Sequence, residues 1–207
     1  MLQFRLLGFP VTIEPFFWVN MALIFGAISA DSPEAIGALV VQMAAGFVSI
    51  LIHELGHALT MRRLGDQRVD IVLHGFGGFA RGSRHLDRWQ SLTVSAAGPA
   101  LQFASGVAVS VWIYPALADQ FNAFGRLFLA SFANVSRLWA LLNLLPILPL
   151  DGGHICRSLL GTNAALRISA GLAGLVALYL LLGGSLIGAL LLGMLAYQNW
   201  RTLKGNL

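Results

Sequence analysis

Charged residues are scarce in this sequence of 207 residues: Asp, Glu, Lys and Arg together make up 11%. A soluble globular domain carries about 25%, so an ordinary water-facing surface around a single apolar core is excluded. Intrinsic disorder is excluded as well, because it needs low hydrophobicity and high net charge. Cysteine is nearly absent, and a lone Cys156 rules out an internal disulfide framework. Acidic residues number 9 against 13 basic ones, which gives a sequence pI of about 10.0. The basic residues mostly border apolar stretches, where lipid headgroups and membrane orientation account for them, and no nucleic-acid partner is expected. What is abundant is apolar: hydrophobic residues reach 57% and mean hydropathy is +0.76. The lipid bilayer is the natural solvent for such a chain.

A helix needs about 20 mostly apolar residues to cross the hydrocarbon core. Six segments qualify, roughly Pro15 to Ser29, Ile36 to Met61, Trp89 to Tyr114, Arg126 to Leu145, Leu166 to Leu182 and Ser185 to Trp200. The last two form one apolar run, and Gly183-Gly184-Ser185 supplies the break. Unbroken, that run would make a helix about 50 Å long, too long for a core of about 30 Å. Arg62, Arg63, Arg68, Arg81, Arg84 and Arg88 lie between the second and third segments, whereas Asp31, Glu34 and Asp119 fall on the opposite loops. Basic loops mark the cytoplasmic side, so both termini are expected there, in a multi-pass protein of a cell membrane such as a bacterial inner membrane. Between residues 64 and 88, Val69-Asp70-Ile71-Val72-Leu73 alternates and His74-Gly75-Phe76-Gly77-Gly78-Phe79 turns and resumes an apolar course. That pattern predicts a β-hairpin dipping into the bilayer. The expected fold class is membrane all-α: six transmembrane helices with a small membrane-associated β-hairpin after the second span, in a single domain over residues 1–207.

The second segment contains His53-Glu54-Leu55-Gly56-His57. On a helix, positions four apart share a face, so His53 and His57 can bind one metal ion while Glu54 serves as general base. Ionisable residues inside an apolar span are costly and usually functional. His53 lies nine residues before Arg62, about 13 Å along a helix, which places the site below the cytoplasmic membrane surface. Gly46, Ser49, Gly56 and Thr60 continue the same face with small and polar groups. A catalytic zinc needs a third protein ligand and an open position. Asp151 is the candidate, just after the helix break that Pro146 and Pro149 impose; His154 is the alternative donor and is read as a neighbour.

A transmembrane His53-Glu54-x-x-His57 followed by Asn143-x-x-Pro146-x-x-Pro149-Leu150-Asp151-Gly152 resembles the site-2 protease family of intramembrane zinc metalloproteases. The Gly-rich hairpin and Ala97-Gly98-Pro99 match as well, and the resemblance covers nearly the whole chain in a minimal, membrane-core form. It implies one zinc ion held by His53, His57 and Asp151, with Glu54 as catalytic base and Asn143 positioning substrate or stabilising an oxyanion. It further implies an intramembrane endopeptidase acting on the transmembrane segments of single-span membrane proteins within the bilayer. The sequence departs from the family pattern at Gln102, where many relatives have Asn, and at Arg137, which is read as structural. The competing functions are a non-catalytic binder of transmembrane segments, disfavoured by the intact Glu54, and a metal transporter, disfavoured by the lack of a repeated motif.

Overall fold

The computed structural model describes residues 1–75 and 77–205. Phe76, in the expected hairpin turn, lies outside them, as do residues 206 and 207. The chain divides into two compact units, one of Met1–His85 with Ala97–Leu141, the other of Leu86–Ala96 with Leu142–Leu207.

The first unit opens with strands β1 (Leu2–Leu6) and β2 (Phe9–Ile13), then helices α1 (Pro15–Ile24) and α2 (Pro33–Arg63), then strands β3 (Asp70–His74) and β4 (Gly77–Arg81). The expected hairpin is β3 with β4, antiparallel, with Val72 opposite Phe79. It does not stand alone, and this corrects the sequence reading. β2 pairs parallel with β3 through Val11–Ile13, and β1 closes the other side, so the sheet has four strands in the order β1-β2-β3-β4. The β1–β2 turn puts Leu7 at φ 51° and Gly8 at φ 89°, the doubly left-handed conformation that suits a two-residue hairpin. Pro10 is tolerated because pairing with β3 begins only at Val11, so its missing N–H removes no bond on that side.

One face of this sheet is apolar. Phe9, Val11, Ile13, Ile71 and Leu73 are buried and form one core with Phe17 and Met21 of α1 and Ile50, Leu51, Leu55 and Ala58 of α2. Alternation of period two meets an apolar helical stripe, which seats the sheet on the middle turns of α2. The helix starts at Pro33, with the Ser32 hydroxyl accepting from the Ala35 amide at 3.2 Å, and ends on Arg62 and Arg63. Both ends suit the helix dipole. Helix α3 (Arg88–Ala108) continues through a π turn into α4 (Tyr114–Leu117), and α5 spans Ala123–Asn143.

The second unit contains α6 (Asp151–Leu160), α7 (Thr162–Leu182) and α8 (Leu186–Leu203). The break expected at Gly183-Gly184-Ser185 separates α7 from α8, with Gly184 at φ 82°. Among the described residues, three helical stretches are long and apolar enough to cross a membrane: Pro33–Arg63, Arg88–Gln120 and Thr162–Leu182. The protein is mostly helical, with several apolar helices suited to a bilayer. The other expected spans coincide with α1, α5 and α8, but α1 has 10 residues, about 15 Å, half of the hydrocarbon thickness.

Candidate metal centre

Helix α2 delivers His53, Glu54 and His57 from consecutive turns, and all three are buried. The two imidazoles stand edge to face, with ring centroids 4.7 Å apart at 78°, and their Nε2 atoms are 3.1 Å from one another. Two nitrogens bound to one tetrahedral zinc at about 2.0–2.1 Å would lie about 3.3 Å apart. The pair therefore has the separation that a shared metal ion requires.

The tautomer of His53 follows from its neighbours. Gln102 of α3 places Oε1 2.9 Å from His53 Nδ1. Its Nε2 donates to the Ser49 carbonyl at 3.3 Å and to the Ser49 hydroxyl at 2.9 Å. A carbonyl only accepts, so the amide nitrogen must face Ser49 and the amide oxygen must face His53. His53 Nδ1–H then donates to Gln102, which leaves the Nε2 lone pair directed at His57 Nε2 and available to a metal. The residues present fit a zinc ion.

Two close backbone approaches shape this site. At Gly56, an added Cβ would stand 2.6 Å from the Ala97 carbonyl oxygen, and Gly98 lies directly against the His57 ring. Gly56 and Gly98 thus let α2 and α3 touch where the histidines need room. Glu54 lies against Gly78 of β4, where an added Cβ would be 2.7 Å from both Cγ and Oε1 of the glutamate. β4 is an edge strand, so the glutamate sits beside a row of backbone groups not used by a further strand.

In the second unit, Asp151 is the first residue of α6, after Leu150 in extended conformation. The preceding loop is held by side chains: Leu148 N–H donates to Ser169 Oγ at 2.9 Å, and Asn199 Nδ2 donates to the Leu148 carbonyl at 2.9 Å. Asp151, Asn143 and His154 are each half-buried, and Asn143 ends α5. His74 packs its ring against Phe79 at 5.5 Å. Arg137 donates to the Ala133 carbonyl at 3.1 Å and to Asn134 Oδ1 at 2.7 Å, both on its own helix.

Sequence reasoning missed two features. The contact of Gln102 with His53 joins positions 49 residues apart. Asp66 accepts from the amides of Arg68 and Arg84 at 3.0 and 2.8 Å and from the Ser83 hydroxyl at 2.9 Å, clasping the two ends of the β3–β4 hairpin. Burial raises the pKa of Asp66, but these hydrogen bonds outweigh it and hold the carboxyl below its ordinary value.

No protein-family model matches the chain. Among curated proteins, it is 27% identical over 187 residues to a zinc metalloprotease of Methanocaldococcus jannaschii, covering 88% of this chain and 53% of that protein. It is 27% identical over 165 residues to a provisionally named zinc metalloprotease of Synechocystis, covering 74% and 42%. A provisionally named zinc metalloprotease of Mycobacterium tuberculosis is 32% identical over 165 residues, with 73% and 41% covered. The chain spans about half the length of the curated relatives it matches. Among solved structures, the site-2 protease from Methanocaldococcus jannaschii superposes with a TM-score of 0.67 at 24% identity, over 98% of this chain and 94% of that one. That match establishes the fold.

Proposed function

We propose that this chain, whose resemblance to the site-2 protease family is borne out by its relatives and its fold, is a zinc endopeptidase that cleaves transmembrane segments of membrane proteins. The observation that carries the reading is the buried His53–His57 pair with converging Nε2 atoms 3.1 Å apart, with Glu54 beside it on an apolar helix. His53 and His57 hold the ion, and Asp151 is the third ligand, on the strength of its motif and its place at the head of α6 after the proline-bounded loop. Bound there, zinc supplies Lewis-acid chemistry, making water more acidic and polarising the scissile carbonyl.

The protein's own groups supply the rest. Glu54 takes a proton from the attacking water and returns one to the departing amine. Asn143 donates to the carbonyl oxygen as it gains negative charge. The substrate is the transmembrane segment of a single-span protein, a reading supported by the two histidine ligands lying on an apolar helix long enough to cross a bilayer. A helical peptide bond is already hydrogen-bonded, so the substrate must unwind locally. The open edge of β4 receives the unwound strand by strand addition, with Gly78 keeping side-chain bulk away from Glu54. Six spans with cytoplasmic termini complete this reading.

The test is co-expression or detergent assay with single-span membrane substrates. Glu54→Gln is expected to lower cleavage by about 10²–10⁴-fold while zinc content and insertion stay at wild-type levels. Asp151→Asn is expected to lower zinc content and cleavage together, and His154→Ala to leave both near wild type. A Glu54→Gln protein that cleaves normally would remove the glutamate from the mechanism. An Asp151→Asn protein with full zinc would remove Asp151 from the ligand set.

A further inference from the structure

We infer that the zinc affinity of this site is set by a buried hydrogen-bond relay running from Ser136 through Ser49 and Gln102 to His53, with Gln102 as the positioning residue of the metal ligand. The inference rests on the metal-site reading above and deepens it. All four residues lie in the first unit, on three helices: Ser136 on α5, Ser49 and His53 on α2, and Gln102 on α3. Ser136 Oγ donates to Ser49 Oγ at 2.9 Å. Ser49 Oγ and its carbonyl accept from Gln102 Nε2, and Gln102 Oε1 accepts from His53 Nδ1.

Burial gives the relay its weight. Ser136, Ser49 and Gln102 are each 0% exposed, and His53 is 4% exposed. Withdrawn from bulk solvent, these groups gain strength from each hydrogen bond of the relay. The direction of the relay is fixed at Gln102. The Ser49 carbonyl compels the Gln102 amide to present nitrogen toward α2's earlier turn, which leaves its oxygen as the acceptor that His53 meets. A side chain that fills the same space without an oxygen would free His53 to rotate or to carry its proton on Nε2, where the metal must bind. Glutamine has the reach to span from Ser49 to His53 with both ends of one amide.

The relay makes a chemical prediction separable from packing. Gln102→Met keeps the volume and removes the acceptor; Gln102→Glu keeps an acceptor for His53 Nδ1–H. Purified full-length protein in detergent is titrated with zinc against a chromophoric chelator, and with Co²⁺ to read the ligand-field spectrum. Gln102→Met is expected to weaken zinc by about 10–100-fold, the range for loss of an outer hydrogen bond to a ligand histidine, and to change the Co²⁺ spectrum. Gln102→Glu is expected to restore affinity to within a few-fold of wild type. Ser136→Ala, which disturbs only the far end, should weaken zinc by less than Gln102→Met. Wild-type affinity and spectrum in Gln102→Met would overturn the relay while leaving the metal site intact. So would equal loss in Gln102→Met and Gln102→Glu when both elute as folded monodisperse protein. A wild-type protein that binds zinc no better than a His53→Ala, His57→Ala control would overturn the metal-site reading, and the relay with it.

Discussion

Gly78 shows how much of this site depends on atoms that are missing. Its Cα faces Glu54, and even a methyl group would sit 2.7 Å from the glutamate's Cγ and Oε1. A contact that short cannot persist, so Glu54 or β4 must move. Displacing a catalytic group by about 1 Å costs on the order of 10²-fold in rate. Gly78→Ala is therefore expected to lower cleavage by about that factor while zinc titration of the protein stays unchanged, because neither histidine is touched. Normal cleavage by Gly78→Ala would show that the glutamate does not need its observed position. The three residues of the α2 site were legible because a helix places residues four apart on one face, whatever surrounds it. Their partners were not. Gln102 and Ser136 stand 53 and 87 residues from Ser49; the sequence marked Gln102 only as a departure from the family pattern and gave neither residue a partner.

Among the elements, the β3–β4 hairpin depends on its clasp. Asp66 is buried and accepts hydrogen bonds from both sides of the hairpin's base. Its carboxyl titrates below its ordinary value of 3.8 in the folded protein, so the sign of its linkage is that of a depressed acid. The stabilisation is complete above the unfolded-state pKa and is lost as pH falls below about 4 toward the folded-state value. Protection factors at residues 77–84, corrected for the pH dependence of intrinsic exchange, are expected to fall over that range in the wild type. Asp66→Asn should already be less protected at pH 7, with a cost of about 1–3 kcal/mol for weakening bonds to a buried charge, and should lose little further protection on acidification. Wild-type protection factors that do not change with pH would dismiss the clasp. This hairpin was legible in the alternation of residues 69–73 and the glycines after it. The β1–β2 hairpin was not: Leu7-Gly8 lacks the usual Asn-Gly or Asp-Gly turn signal, and Pro10 argues against a strand flanked on both sides. What the sequence could not supply was the limited reach of the β2–β3 ladder, which is why that proline is harmless.

For the whole molecule, composition alone pointed to a bilayer, and the helices occupy the apolar segments that it marked. Orientation is a separate property, carried by where the arginines fall. Reporter fusions after Lys204 and before Arg5 are expected to report a cytoplasmic location for both ends, and an external location for either would exclude an even number of spans with basic loops inside. Helices α7 and α8 also brace a loop. Ser169 on α7 and Asn199 on α8 satisfy the amide and carbonyl of Leu148 in the loop leading to Asp151. A ribosome delivers α7 and α8 after everything else in this fold, long after α2 and its two histidines. Until both helices arrive, that loop lacks the partners that give it shape. On the proposed ligand set, the loop that presents Asp151 is cast only after the two histidines have long been in place, so synthesis itself orders the assembly of the site.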